Sequence, residues 1–248
     1  MNAQSTQILG NDVHVWKIDV DSVSFRPIHT GILSDDEVKR SKKYRFKIDR
    51  DTFIAGRVAL RFLIAEYINA NPEEICFDHN AQGKPSVNNS AGLEFNLSNS
   101  YGKIVIALCI NDIIGVDIEQ NTRPVEIQNI AKSFFSQPEI ETLEKISDEN
   151  KLIAFYNCWT RKEAYIKALG GGLSIPLDQF GVSLAPSSKA EILFIEGNST
   201  EPSQWSLVSF DFEHEFTGAI AVRKQEINIR FFHFDLGKTL VEFTNKMG

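Results

Sequence analysis

The sequence is poor in cysteine, with Cys76, Cys109 and Cys158 as its only three in 248 residues. An odd number of cysteines in apolar surroundings fits free thiols in a reducing cytoplasm better than disulfides or a metal knuckle. The first residues, MNAQSTQILGNDVHVW, contain no basic or apolar segment that would predict a signal peptide. No apolar run approaches the roughly 20 residues that a membrane-spanning helix needs. We therefore expect a cytoplasmic protein without a membrane partner.

The chain also lacks a surplus of positive charge. It has 26 Lys and Arg against 33 Asp and Glu, a net charge of −7, which argues against a nucleic-acid partner. One segment is an exception, because residues 39–50 (KRSKKYRFKIDR) hold seven basic residues and one acid. Such a segment is usually a solvated helix face, but it could also meet a phosphorylated small molecule or an acidic protein.

Hydrophobic residues make up 42% of the chain and charged residues 24%, which is typical of a soluble globular protein. Helical and alternating patterns are mixed, so the predicted fold class is α+β. Two predicted helices begin at Ser34 and at Ser136, and three others cover residues 51–68, 125–135 and about 150–169. The predicted strands are 13–20, 93–98, 104–110, 113–119, 180–184, 191–195, 205–210, 216–222 and 227–234.

One order of elements occurs twice in the chain. A long helix, a glycine-containing loop and then strand, turn, strand and strand run as far as IIGVDIE at 113–119, and the same order recurs from the second long helix to INIRFFHF at 227–234. We place the two halves at residues 1–112 and 113–248. This repetition predicts two similar α/β halves in a pseudo-twofold arrangement, with the active site in the cleft between them. Because such a cleft is internal to one chain, we expect a monomer.

The motif Gly115-Val116-Asp117-Ile118-Glu119 is the most distinctive feature of the sequence. Side chains two apart on a strand point to the same face, so the two carboxylates lie side by side. A hard divalent cation such as Mg²⁺ takes such oxygens together with water and substrate phosphates. An Asp-x-Glu pair alone is more often a solvent-facing strand end.

A second motif lies on the predicted helix at residues 159–167 (WTRKEAYIK). Glu163 and Lys167 are four residues apart, a spacing that by itself is typical of a surface ion pair. Lys162 projects from the apolar side of the helix, so its amine must either reach the surface or meet an anion in a cleft.

The two motifs together, in this order and about forty residues apart, resemble the Sfp-type 4′-phosphopantetheinyl transferases of the W/KEA subgroup. The resemblance covers most of the chain and includes GRVALRFLI, GKP at 83–85, FNLSNS at 95–100, FFSQPE at 134–139 and KALGGGLSIPLDQFGV at 167–182. It implies a Mg²⁺-dependent enzyme of that fold. The enzyme would transfer 4′-phosphopantetheine from coenzyme A to a serine of an apo acyl or peptidyl carrier protein and release adenosine 3′,5′-bisphosphate. The subgroup serves nonribosomal peptide and polyketide biosynthesis.

The resemblance also implies roles for individual residues. The implied Mg²⁺ ligands are Asp117, Glu119 and Glu163, and the implied catalytic residues are Glu163 as general base, Lys167 at the departing phosphate and Glu139 as a second candidate base. The implied coenzyme A contacts are Arg40, Arg50, Lys84, Ser98, Asn99, Lys162 and Lys167. Glu139 also has the spacing from Ser136 of a helix capping box, which favours a structural role.

The family pattern breaks at Asn99, where the usual residue is a histidine that binds a coenzyme A phosphate. An amide can donate a hydrogen bond but carries no charge. Two other readings therefore stay open: a non-catalytic module that binds coenzyme A or a carrier protein, and a Mg²⁺-dependent nucleotide phosphohydrolase. Binding of coenzyme A that is indifferent to Mg²⁺ would favour the module, and cleavage of coenzyme A without a carrier would favour the hydrolase.

Overall fold

The computed structural model describes residues 7–20, 31–88 and 90–247. The helices are α1 (Asp35–Ser41), α2 (Lys47–Ile68), α3 (Ile127–Phe134), α4 (Gln137–Lys145), α5 (Asp148–Leu169) and α6 (Leu236–Met247). The strands are β1 (Asp12–Asp19), β2 (Phe77–His79), β3 (Pro85–Val87), β4 (Leu93–Ser100), β5 (Lys103–Ile110), β6 (Ile114–Gln120), β7 (Phe180–Val182), β8 (Ile192–Ile195), β9 (Ser206–Asp211), β10 (Phe216–Val222) and β11 (Asn228–His233). No helix within these ranges is long and apolar enough to cross a membrane.

The first sheet has the strand order β11-β1-β5-β4. The strands β1, β5 and β4 are antiparallel neighbours, whereas β11 runs parallel to β1. Helix α2 covers one face of this sheet and buries the apolar side chains that its sequence places on one side, such as Leu60, Leu63 and Ile64. The helix ends at Asn69, whose left-handed backbone (φ 54°) closes the last turn before the proline that the sequence offers as a stop.

The second sheet has the order β6-β10-β9 and is antiparallel throughout. Helix α5 covers its outer face and ends at Gly170, in the left-handed conformation (φ 71°) that a glycine cap supplies. Gly115 allows α5 to lie very close to β6, because a Cβ at that position would collide with the backbone of Ala164 and Ala168. Close contact between these two elements brings the GVDIE strand and the WTRKEAYIK helix together.

A third group of buried side chains lies between the two sheets. Val15, Val105 and Ala107 come from the first sheet, and Val116 and Ile220 come from the second. The molecule is therefore built in the layer order helix, sheet, sheet, helix, with one core beneath each helix and one at the centre. This arrangement confirms the α+β class and is consistent with two similar halves.

The C-terminal segment departs from the halves expected at 1–112 and 113–248. Strand β11 pairs with β1, and α6 packs Leu236 and Leu240 into the core beneath α2. Residues 228–247 therefore complete the N-terminal half, because their apolar side chains fill a core that α2 and the first sheet leave open.

Most predicted helices and strands are present, with bounds shifted by a few residues. Two features were not predicted. The segment around Gly83 is a hairpin of β2 and β3 rather than a plain loop, and the chain ends in the helix α6. Three-residue strands are too short to show alternation, and Gly237 weakens the helical signal at the start of α6.

Candidate active site

The site lies where the edge strands of the two sheets run side by side. Strand β4 of the first sheet and β6 of the second are joined by side chains rather than by a backbone ladder. Asn96 Oδ1 accepts a hydrogen bond from Val116 N at 3.0 Å, and Ser98 Oγ donates to Asp117 Oδ1 at 2.9 Å. Each of these β4 residues lies beside the β6 residue about twenty positions later in the chain. The polar face of β4 is thereby placed directly against the carboxylates of β6.

Asp117 is at the centre of this contact and is only 3% exposed. Its Oδ1 accepts hydrogen bonds from Ser98 Oγ and, at 2.6 Å, from Lys167 Nζ on α5. Its Oδ2 is buried and has no hydrogen-bond partner among the residues that the structure describes. A buried carboxylate oxygen without a partner is costly, so this atom marks a position where a cation or a donor would be stabilised.

Two further carboxylates belong to the same electrostatic environment. Burial raises the pKa of Glu119 to about 7, and the negative charge of Asp117 adds to the rise. Burial and Asp117 also raise the pKa of Glu163 on α5, while Lys167 opposes the rise. At both Glu119 and Glu163, burial and repulsion from Asp117 together outweigh the opposing charge of Lys167, so a further cation would favour the ionised carboxylates.

Lys167 is the cation that all three carboxylates share. Its Nζ bridges Ser98 Oγ at 2.9 Å and Asp117 Oδ1 at 2.6 Å, so it connects α5 to both edge strands. The side chain is 29% exposed and therefore reaches the solvent of the cleft. One ammonium group cannot balance three carboxylates, which leaves room for a further positive charge.

We tested whether these residues fit a divalent cation. In the part of the chain that the structure describes, no three His, Cys, Asp or Glu side chains are arranged as a ready cage for a metal. A hard cation such as Mg²⁺ needs only one or two carboxylates when water and substrate phosphates complete its shell. The free Oδ2 of Asp117 and the under-compensated pair Glu119 and Glu163 supply such oxygens, so the residues fit a cation that binds together with a phosphorylated substrate.

Comparison with known proteins decides the family. A family model described as the 4′-phosphopantetheinyl transferase superfamily matches residues 113–221, and one described as 4′-phosphopantetheinyl transferase, N-terminal, matches residues 24–111. The chain is 32% identical over 231 residues to the 4′-phosphopantetheinyl transferase HetI of Nostoc sp., which covers 92% of this chain and 94% of that protein. The chain belongs to the 4′-phosphopantetheinyl transferase superfamily.

Other members are similar over shorter stretches. The 4′-phosphopantetheinyl transferase Sfp of Bacillus subtilis is 32% identical over 167 residues, 67% of this chain and 73% of the relative. The L-aminoadipate-semialdehyde dehydrogenase-phosphopantetheinyl transferase of Mus musculus is 28% identical over 212 residues, 78% of this chain and 68% of the relative. The chain is thus an enzyme that transfers 4′-phosphopantetheine from coenzyme A to carrier proteins. The family predicted from the two motifs is confirmed, whereas the W/KEA subgroup stays a prediction.

The structure of the transferase gives Lys162 a different position from the one that the resemblance implied. The side chain is fully buried, and Nζ donates to the carbonyl oxygens of Leu177 and Phe180, each at 2.6 Å. Nζ also forms an ion pair with Glu139 Oε2 at 2.8 Å. All three donors of the ammonium group are therefore occupied inside the C-terminal half, which does not match the expected contact with a phosphate.

Glu139, the second candidate base, is buried in the same place and is 2% exposed. Its Oε2 accepts from Ser136 N and Ser136 Oγ, both at 2.7 Å, which is the capping box that the sequence predicted. Its Oε1 accepts from Val182 N at 2.8 Å. These contacts favour the structural role of Glu139 in the helix cap, and its role as a base stays a prediction.

The two candidate arginines of the N-terminal half lie in different surroundings. Arg40, at the end of α1, lines a cavity of about 440 Å³ together with Arg57 and Arg61 of α2. Arg57 and Arg61 both bind Glu37, which leaves Arg40 as the cavity's arginine without a carboxylate partner among the described residues. Arg50 does not line this cavity and lies 3.6 Å from Asp51.

Lys84 and Asn99 lie toward opposite ends of the contact between β4 and β6. Lys84 Nζ donates to Ala168 O at 2.7 Å and to Ile114 O at 3.2 Å, so the β2–β3 hairpin fastens onto the end of α5. Asn99 is exposed, and because strand side chains alternate, it faces the opposite side of β4 from Ser98. Its amide makes no hydrogen bond within the described parts of the chain.

The sequence analysis did not identify Ser100 as part of the site. Ser100 Oγ donates to Glu119 Oε2 at 3.0 Å and accepts from Gln120 N at 3.3 Å, so it holds the second carboxylate as Ser98 holds the first. A signal for it was present, since the serines of Ser98-Asn99-Ser100 have the same two-residue spacing as Asp117 and Glu119.

Proposed function

We propose that this transferase works with Mg²⁺ held by Asp117, Glu119 and Glu163. The observation that carries the proposal is the buried, unpartnered Oδ2 of Asp117 in a group of three carboxylates with one shared lysine. When bound, Mg²⁺ would neutralise these acids and the pyrophosphate of coenzyme A.

In the proposed reaction, the serine oxygen of the carrier protein attacks the phosphorus atom that bears the pantetheine group. The bond from that phosphorus to the bridging oxygen breaks, and adenosine 3′,5′-bisphosphate leaves with the electron pair. Glu163 accepts the serine proton. Lys167 stabilises the charge that develops on the departing phosphate.

Arg40 is the proposed partner of the 3′-phosphate of coenzyme A. It is exposed, lines the cavity beside α2, and stacks its guanidinium at 5.3 Å from the ring of Phe53. Arg50 stays a second candidate on sequence grounds alone. Lys84, Ser98 and Asn99 would border the bound coenzyme A, with Lys84 acting through its hold on the end of α5.

The acceptor that we propose is an apo acyl or peptidyl carrier protein of nonribosomal peptide or polyketide biosynthesis. Trp159 and Ala164 in the helix motif support this subgroup. We further propose a monomer, since both edge strands of the cleft come from one chain, and a cytoplasmic location, since all three cysteines are free.

Intact-mass spectrometry tests the proposal. The enzyme is mixed with coenzyme A, MgCl₂ and a panel of apo carrier proteins, and each carrier is weighed. We expect one carrier to gain a single phosphopantetheine, and we expect EDTA to abolish the gain. Asp117→Asn should lower the rate by about 100-fold or more, as expected for the loss of one charge that stabilises the transition state.

Asp178→Asn is the matched control, because Asp178 is exposed and lies outside the cleft. It should react at the unmodified rate. Calorimetry adds a second readout, in which Mg²⁺ should tighten coenzyme A binding to the unmodified enzyme and not to Asp117→Asn. Full activity of Asp117→Asn would contradict the proposed ligand set, and cleavage of coenzyme A without any carrier gain would contradict the transfer.

A further inference from the structure

A second cationic site lies on the side of α5 that faces away from the carboxylates. Successive helical residues turn by about 100°, so Arg161 points about 200° away from Glu163. The Arg161 side chain is only 2% exposed. Its Nε donates to Ser209 Oγ at 3.0 Å, and its Nη1 donates to Ser183 O at 2.5 Å and Ser183 Oγ at 3.1 Å.

Arg161 differs from the other deeply buried cations in having no acid beside it. Arg61 pairs with Glu37 at 2.7 Å, and Lys162 pairs with Glu139 at 2.8 Å. Within the described residues no carboxylate forms an ion pair with Arg161. Burial lowers the pKa of its guanidinium to about 10, so the group still carries its charge at neutral pH. An uncompensated buried charge is costly and attracts an anion.

The guanidinium also has an unused donor. Nη2 makes no hydrogen bond to any residue that the structure describes, and the atom is not completely buried. Arg161 lines a cavity of about 480 Å³ between α5, β9 and residues 186–190. The unused Nη2 is therefore available to a ligand in this cavity. Ser209 adds a second donor, because its oxygen accepts from Arg161 and its own proton is not used within the described structure.

The remaining lining indicates what kind of anion fits. Ile153, Leu207 and Phe210 form apolar walls. At the mouth, Lys189 is 84% exposed and bound to Glu191 at 3.0 Å, and Asp211 contributes a negative charge. Lys17 Nζ donates to the backbone carbonyl of Asp211 at 2.5 Å, so the charges at the mouth are offset. The interior thus offers a single positive charge beside an apolar surface, which fits a monoanion with an apolar body. Its volume is in the range of small-molecule sites.

We infer that this cavity binds a small organic monoanion. Its carboxylate accepts hydrogen bonds from Arg161 Nη2 and the Ser209 hydroxyl, and its apolar body packs against Ile153 and Leu207. The site is separate from the catalytic cleft, so its occupancy does not depend on Mg²⁺, coenzyme A or the proposed reaction.

Fluorine NMR of 4-fluorobenzoate, with 4-fluorobenzamide as its neutral counterpart, tests this site on the full-length enzyme. We expect the benzoate to bind at least about 10-fold more tightly than the amide, as a charge-assisted hydrogen bond requires. Ser209→Asp places a carboxylate beside Arg161 and should weaken benzoate binding by at least about 10-fold. Because it supplies the missing counter-ion, it should not lower the melting temperature. Arg161→Gln should also abolish the preference for benzoate over benzamide.

Arg45→Gln is the matched control, since Arg45 is exposed and lies in the other half of the molecule. It should leave benzoate binding unchanged. Lys167→Met should leave it unchanged as well, which would separate this cavity from the catalytic cleft. The inference is overturned if benzoate and benzamide bind alike, if neither binds, if Ser209→Asp binds benzoate undiminished, or if Lys167→Met loses it.

Discussion

Removing the charge of Glu139 should destabilise the enzyme without stopping its chemistry. The ion pair of Glu139 and Lys162 is almost completely shielded from water, with the two side chains 2% and 0% exposed. Glu139→Gln leaves the ammonium group of Lys162 buried without a counter-charge. Deleting one partner of a buried pair costs about 3–5 kcal/mol. A glutamine has only one acceptor oxygen, so it can serve either Val182 N or the donors Ser136 N and Lys162 Nζ, but not both sides. We therefore expect the upper end, about 5 kcal/mol.

A double-mutant cycle measured by urea unfolding isolates the interaction. Lys162→Met should also cost several kcal/mol, since Glu139 then becomes an unpaired buried acid and the carbonyls of Leu177 and Phe180 lose their donor. The double variant Glu139→Gln/Lys162→Met contains no unpaired charge. We expect it to be more stable, by about 2 kcal/mol, than the sum of the two single losses predicts.

Kinetics on the folded fraction then distinguish structure from catalysis. With Glu139 held in the helix cap and out of reach of substrate, the turnover rate of Glu139→Gln should stay within a few-fold of that of the unmodified enzyme below its melting temperature. Loss of a general base would instead slow turnover by about 100-fold or more. Such a loss at unchanged unfolding free energy would refute this reasoning and restore Glu139 as a base. Purely additive stability losses would refute the ion pair.

Three further outcomes are expected. His14 is buried beside Tyr67, and burial lowers its pKa from the ordinary 6.5 to about 4. As the pH falls, the unfolded chain therefore takes up a proton at this histidine before the folded protein does. The free energy of unfolding should fall by about 2 kcal/mol from about pH 7 to about pH 4.5. Urea titrations of His14→Gln should lack this part of the fall, and an unchanged pH dependence would contradict the assignment. Gly115→Ala should lower the free energy of unfolding, measured in urea, by about 3 kcal/mol and should lower activity, because the new Cβ collides with the backbone of Ala164. A stable, active variant would show instead that α5 can shift. In the Asn99→His variant, the KM for coenzyme A should be about threefold lower at about pH 6 than at about pH 8, since the imidazole is charged only at the lower pH. If the variant and the unmodified enzyme bind coenzyme A equally well at both pH values, there is no phosphate contact at this position.

The long, strongly patterned elements could be predicted from the sequence, because their physical signals are local. The apolar stripe of α2, the glycine that ends α5 and the capping box at Ser136 each depend on residues within one or two turns. The return of β11 and α6 to the first half could not be predicted in this way. It depends on whether the core beneath α2 is already filled, which is a property of the assembled layers.

The candidate site divides in the same manner. Strand alternation predicted that Asp117 and Glu119 share a face, and helix spacing predicted the pair Glu163 and Lys167. The resemblance to a family implied that the two pairs form one site, and the structure brings these four residues together. Their meeting with Ser98 depends on the alignment of β4 with β6, which no local pattern encodes.

Lys162 shows where a motif and its geometry separate. It lies next to Glu163 in the sequence, and the resemblance to the family implied a contact of Lys162 with coenzyme A. On a helix, however, neighbouring residues diverge by about 100°, so a residue next to a cleft-facing acid is directed toward the protein interior or its flank. Lys162 and Arg161 both occupy that other side, and both are buried cations. One finds its counter-charge in Glu139, whereas the other has none among the described residues. The same helix thus carries the proposed catalytic carboxylate on one face, a structural ion pair on the second and, among the described residues, an unpaired guanidinium on the third. A motif of consecutive residues should therefore be read by helical angle before roles are assigned, and the unpaired member is the one from which a further ligand is to be expected.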